Sequence, residues 1–232
     1  VPPWRSIAAL NNAEWCNAVC LTHGAQTTVD EVAWTSRTRT PPYYPDAVTL
    51  APDVAIPELL ARIDSSAGCS IKDSYAALDL AAHGFEVLFD AEWIVRTSGE
   101  IEAPETSPRW EVVRNAAGLE AWEQAWRGHD GASGIFRAEL LDDDTVVVIG
   151  ARSSAGIVAG AVLNRSRDAV GISNFFSNSG AGPSSWGGCL ALAGALFPAS
   201  PLVGYASGSA LDAARAHGFA TAGPLRVWLR KA

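Results

Sequence analysis

Ala77-Leu78-Asp79-Leu80-Ala81-Ala82-His83-Gly84-Phe85, running on to Trp93, returns later in the chain as Ala210-Leu211-Asp212-Ala213-Ala214-Arg215-Ala216-His217-Gly218-Phe219, running on to Trp228. Each copy reads as a short helix stopped by glycine and followed by an apolar strand. The second copy lies about 134 residues beyond the first and needs a one-residue gap, which marks a repeated supersecondary unit rather than low complexity. The repeat divides the 232 residues into two related halves. We expect lobes over residues 1–108 and 109–232, joined through the Pro- and Glu-containing segment 99–109.

Working outward from the second copy, Leu119, Trp122 and Trp126 recur at helical spacing, which predicts a helix over residues 116–126. Three β-rich runs with short turns follow, over residues 145–151, 157–165 and 169–176, and predict an antiparallel meander. Next come a glycine-rich loop, a helix over 185–196, a strand over 202–206, and the repeat with its closing strand over 225–229. The first half predicts a helix over 12–23 and a hairpin after Val29 with an aromatic, proline-stiffened connection (Pro41, Pro42, Tyr43, Tyr44, Pro45). A helix opened by Pro57, a strand over 69–73, the first copy of the repeat and a strand over 86–96 complete it.

Composition excludes several classes. An apolar content of 48% suffices for packed cores, and a net charge of -8 counts against broad binding of nucleic acid or anionic membranes. There is no charged-then-apolar leader and no run of about 18 apolar residues, so a soluble cytoplasmic protein with no membrane partner is expected. The four cysteines form no C-x-x-C pair or disulfide framework. Cys16, Cys20 and His23 fall on one helical face, but without an evident fourth ligand we expect no metal.

The order helix, three antiparallel strands, glycine loop, helix, strand, helix, strand, with Ser177-Asn178-Ser179-Gly180-Ala181-Gly182 after the third strand, resembles the GNAT superfamily of acyl-CoA N-acyltransferases. The resemblance covers residues 116–230, and a degenerate version covers the first half, as in tandem members with one worn-out copy. It implies an α/β fold of the α+β type: two GNAT-like lobes, each with a mostly antiparallel sheet flanked by helices. The family loop reads Gln/Arg-x-x-Gly-x-Gly/Ala. Gly180 and Gly182 hold the glycine positions and Ser177 replaces the usual Gln or Arg. Such a loop and the helix after it present backbone N–H groups to a pyrophosphate. Acetyl-CoA or another acyl-CoA is therefore the implied co-substrate, with Phe175, Phe176, Ser177, Gly180, Ala181, Gly182, Ser184 and Ser185 as the implied donor site.

The resemblance also places Ser173 and Asn174 on the strand that contacts the acyl thioester. The family tyrosine that protonates the leaving thiolate is missing, because Ala214 stands at its position; Tyr205 or His217 is the available substitute. Trp34, Arg37, Tyr43 and Tyr44 are the expected acceptor residues, suited to a small, anionic molecule. The leading expectation is transfer of an acyl group to the amine of a small molecule. Aminoacyl transfer from a charged tRNA is the alternative, which the net charge disfavours. A ligand-binding protein that kept the fold and lost the chemistry is the third reading. The histidines preceding Gly-Phe in both copies suit closure of a helix C-terminus.

Overall fold

A computed structural model of the chain describes residues 3–97, 108–128, 131–154, 156–178 and 184–231. In chain order the elements of the first half are α1 (Trp4–Thr22), β1 (Thr27–Val29), β2 (Ala33–Ser36), β3 (Ala47–Thr49), α2 (Ile56–Leu60), β4 (Ser70–Asp73) and β5 (Phe85–Arg96). The second half holds β6 (Arg109–Val112), α3 (Ala116–Arg127), β7 (Val146–Ser153), β8 (Gly156–Arg165), β9 (Val170–Ser177), α4 (Ser184–Leu196), β10 (Leu202–Ala206), α5 (Gly208–Ala216) and β11 (Ala220–Arg230).

The fold is mixed α/β, with one large sheet flanked by helices. Its strand order is β1-β2-β3-β4-β11-β5-β10-β9-β8-β7-β6. The two halves do not each close a sheet of their own, because their last strands cross over. β11 lies between β4 and β5, and β5 lies between β11 and β10, all antiparallel. Strand directions read alike outward from the β5–β11 pair. On each side an antiparallel neighbour (β4 or β10) is followed by a parallel one (β3 or β9), then by antiparallel β2 and β1 or β8 and β7. The register repeats as well: Glu86 pairs with Leu229 and Val95 with Ala220, Val87 with Trp228 and Ile94 with Thr221. The ladder slips twice, leaving Leu88 unpaired on β5 and Ala222 unpaired on β11. A bulge at corresponding places in both strands gives each the same bend.

Alternation along the strands sorts the core onto two faces. On one face, α1 and α3 cover Trp93, Val148, Val162, Val203 and Val227. On the other, α4 and α5 cover Ile94, Ile149, Leu163 and Ile172, while α2 covers Ile71, Phe85 and Trp228. α1 belongs to the first half yet docks on the second. Asn11 Nδ2 donates to the Asn164 carbonyl (3.0 Å), and Asn164 Nδ2 donates to the Asn11 carbonyl (2.9 Å).

The meander, the helices of the second half and the β2–β3 hairpin with its proline-rich connection lie where the sequence predicts them. The first copy of the repeat differs from its expectation. Its helix is a single 3-10 turn, Ala81–His83. The Asp73 carboxylate explains this, because it accepts from the backbone N–H groups of Tyr75 (3.2 Å) and Leu78 (2.8 Å) and holds the segment in turns. In the second copy no comparable carboxylate intervenes and α5 forms. β6 starts at Arg109, the last residue of the expected linker, and runs through residues for which no element was expected, and α1 begins eight residues earlier than predicted.

All four cysteines are unbridged and buried. Burial raises the thiols of Cys20, Cys69 and Cys189 above their ordinary range, Cys69 to about 12. Thiolate is the reactive species, so these three are expected to resist iodoacetamide at pH 8 in the folded protein and to react fully on denaturation. Intact mass before and after guanidinium checks this, and rapid native labelling of any of them would refute it.

Candidate functional site

β9 and β10 are parallel neighbours that stay paired only briefly. Val170 faces Leu202 and Gly171 faces Val203; beyond those pairs the strands part, although both continue. Two local causes act on β9. It slips against β8, with Asn174 and Phe175 opposite the single residue Ala161. Asn174 also adopts φ 53, the left-handed region that Asn tolerates better than most side chains. The resulting bulge bends β9 away from β10. Past Gly171 the edge of β9 toward β10 has no ladder partner among the described residues.

A cavity of about 240 Å³ occupies the parting. It is lined from both faces of the sheet. Asn12, Trp15, Lys72 and Tyr205 come from the α1 side; Ile94, Phe175, Trp186 and Phe219 come from the α4 and α5 side. The opening thus passes through the sheet. Trp186, in the first turn of α4, stacks on Phe175 with ring centroids 4.2 Å apart, forming an aromatic wall. The volume lies below the ~300–1,000 Å³ usual for drug-sized ligands, so the enclosed part fits a compact group.

The polar groups of the cavity are tied together. Asn174 Oδ1 accepts from the Trp15 indole (3.0 Å) and from the Tyr44 hydroxyl (3.4 Å). Burial pushes the Tyr44 phenol well above its ordinary value, so it stays a donor. Lys72, at the middle of β4, is only 5% exposed. Its Nζ donates to Asn12 Oδ1 (2.6 Å) and lies 4.2 Å from the centroid of the Tyr205 ring. Both partners are uncharged. Neither the amide oxygen nor the ring face neutralises the ammonium, which has no carboxylate counter-ion among the described residues. Tyr205 is 38% exposed and rests edge-on against Trp93.

The expected site residues divide. Ser173, Asn174, Phe175, Tyr205, Tyr43 and Tyr44 meet at the cavity. Phe176 does not; it packs edge-on against Trp122 under α3. Trp34 is a core residue whose indole donates to Asn17 (3.0 Å), a contact that turns it away from the cavity. Arg37 is exposed at the end of the β2 strand and lines no part of it. Ser177 donates to the buried hydroxyl of Ser185 (3.1 Å), which ties the end of β9 to the first turn of α4. Gly180, Ala181 and Gly182, and the side chain of Ser184, lie outside the described residues. His217 closes α5, its Nδ1 2.9 Å from the Ala213 carbonyl. His23 meets the Ile135 carbonyl at 2.9 Å, and among the described residues no cluster of three metal-ligating side chains occurs. No described helix is long and apolar enough to cross a membrane.

Lys72, Asn12, Trp15 and Trp186 are site residues that the sequence reading missed. A signal was present for the first: in Ser70-Ile71-Lys72-Asp73 a lysine takes an interior position of a short strand.

No protein-family model matches the chain, and no curated protein does. Solved structures do. A GCN5-related N-acetyltransferase from Kribbella flavida superposes with a TM-score of 0.64 at 15% identity, over 97% of this chain and 96% of its own. A conserved protein of unknown function from Staphylococcus epidermidis gives 0.59 at 13%, over 89% and 94%. A protein assigned to the GNAT acetyltransferase family from Novosphingobium aromaticivorans gives 0.55 at 13%, over 94% and 96%. The likeness spans nearly the whole of each chain, both halves included, and at these identities it establishes a shared fold.

Proposed function

We propose that the protein is an N-acyltransferase that moves an acyl group from acyl-CoA, in the simplest case acetyl-CoA, to the amine of a small molecule. The observation that carries this reading is the cavity through the sheet where β9 and β10 part. Two reactants can approach one point from opposite faces there. The donor enters beside Phe175, Trp186 and the start of α4, where the glycines of residues 180–182 precede the helix in sequence. The acceptor enters beside Asn12, Tyr44 and Lys72.

An acyl-CoA bound in the parting supplies an activated carbonyl and a thiolate leaving group. The chain's part is to position and to polarise. Backbone N–H groups on the unladdered edge of β9, around the bulge at Asn174, are the donors toward a developing oxyanion. Tyr44 and Trp15 fix Asn174, and so the bulge, through its Oδ1. The neutral amine attacks the carbonyl carbon to form the C–N bond, and collapse of the adduct breaks the C–S bond. The proton leaving nitrogen passes to solvent water, and the departing thiolate takes up one proton. Tyr205 lines the cavity and is the hydroxyl assigned to protonate the thiolate.

We read the matching register of β5 and β11 as the trace of a duplicated unit. In that reading the first half is a copy without the glycine-rich loop. It supplies α1 and β4 to the acceptor side and binds no donor.

Saturable binding of acetyl-CoA in calorimetry is expected, together with thiol release in the presence of an amine panel. Tyr205→Phe is expected to lower kcat by about 10²-fold with little change in acetyl-CoA affinity. Absence of acetyl-CoA binding would sink the proposal. Full activity of the Tyr205 variant would remove only the assignment of the acid.

A further inference from the structure

We infer that the small molecule taken by this cavity carries an anionic group, a carboxylate or a phosphate, and that Lys72 receives it. The inference rests on the acyl-transfer reading for calling that molecule the acceptor, while its support lies in the side chains around Lys72.

Lys72 reaches the cavity from the first half, on the α1 face of β4. An ammonium has three donors. One is taken by Asn12 Oδ1, and Tyr205 offers a ring face. No carboxylate among the described residues forms an ion pair with it. The carboxylates of Asp73, next in sequence, and of Asp46, on the connection into β3, are engaged elsewhere: Asp73 accepts from Tyr75 and Leu78, and Asp46 from Arg39, Thr40 and Ser70. Glu14 of α1 lines a separate cavity beside Asn164 and Arg165 and does not line the one Lys72 reaches.

A buried cation facing an open cavity with only neutral partners is a site for an anion. Asn12 and Tyr205 hold the ammonium in place without neutralising it, so its charge remains directed at a ligand. The same geometry sets the ligand's reach. Lys72 and the bulge of β9 line the same cavity, so an anion on Lys72 leaves the rest of a compact molecule within reach of the parting. The sequence reading placed this duty on Arg37, which stands outside the cavity.

The test measures binding without requiring turnover. Calorimetry of the full chain uses N-acetylglycine, N-acetylalanine and N-acetylleucine, their carboxamides, and N-acetylaminomethylphosphonate. At least one anionic probe is expected to bind roughly 10- to 100-fold more tightly than its neutral counterpart. K72M should erase that preference, and the carboxylate and phosphonate arms show which anion the site takes. Should K72M fail to fold, N12D serves instead. It sets a carboxylate against Lys72 and should remove the preference with the fold retained, as monitored by thermal unfolding. Equal binding of acids and amides by the wild type, no binding of any probe at millimolar concentration, or an unchanged preference in a folded variant would overturn the inference. Anion preference without acetyl-CoA binding would instead refute the acyl-transfer reading and leave the anion site standing.

Discussion

Trp122→Ala is expected to destabilise the protein by about 3–5 kcal/mol, the range for removing a fully buried large aromatic. Trp122 is 0% exposed, and its indole donates to the Ile149 carbonyl (2.9 Å). Its ring stacks on Trp126 and meets Phe136 and Phe176 edge-on. The substitution removes ring contacts, opens a cavity and loses the indole's hydrogen bond to the Ile149 carbonyl. Gly160 sharpens the expectation. A Cβ there would overlap both Trp122 and Phe176, so these rings close over bare backbone. Because Phe176 is on β9 beside the bulge, ligand binding in the parting should weaken along with stability. Denaturant unfolding measures the first effect, and a loss below about 1 kcal/mol would show that the cluster relaxes around the gap.

Gly171→Val is the second large effect, with an expected loss of about 3–5 kcal/mol from overpacking combined with broken buried hydrogen bonds. Gly171 lies beneath the reciprocal Asn11–Asn164 pair, and a Cβ there would overlap both side-chain carbonyl oxygens. Asn11 Nδ2 also donates to Ser166 Oγ (3.1 Å). Displacing this pair lifts α1 from the sheet, and with it Asn12 and Trp15 one and four residues on. The variant should therefore lose stability and the cavity together. Retained ligand binding in a variant with the predicted loss of stability would separate α1 docking from the site.

How much of this was legible beforehand depended on how local the cause was. The meander from β7 to β9 follows from β-rich runs between short turns, and α3 follows from Trp122 and Trp126 at helical spacing. Each needs only its own residues. The 3-10 turn in the first copy of the repeat has a cause that spacing does not display, a carboxylate at Asp73 capturing backbone donors. The site was read in part. Ser173, Asn174, Tyr205, Tyr43 and Tyr44 come together at one cavity, as strand order and the aromatic connection lead one to expect. Lys72 was not legible, because its meaning depends on three elements distant in sequence: Asn12 of α1, Tyr205 of β10 and the parting beside it. Trp34 and Arg37 stand apart from that cavity for the same reason; close in sequence, they take opposite environments, one buried against Asn17 and the other in solvent.

The crossing of β5 and β11 bears on how the molecule is assembled during synthesis. β4 and β5 are made early, yet neither is next to the other in the finished sheet. The strand that belongs between them, β11, follows every other strand in the chain. The first half must therefore wait with a slot in its sheet, the facing edges of β4 and β5 unpaired until some 130 further residues have been translated. Lys72 pairs with Val227 of that late strand, so the buried cation too is enclosed only at the end. A nascent chain paused before residue 220 should be a client for chaperones, whereas one released past residue 230 should close without them.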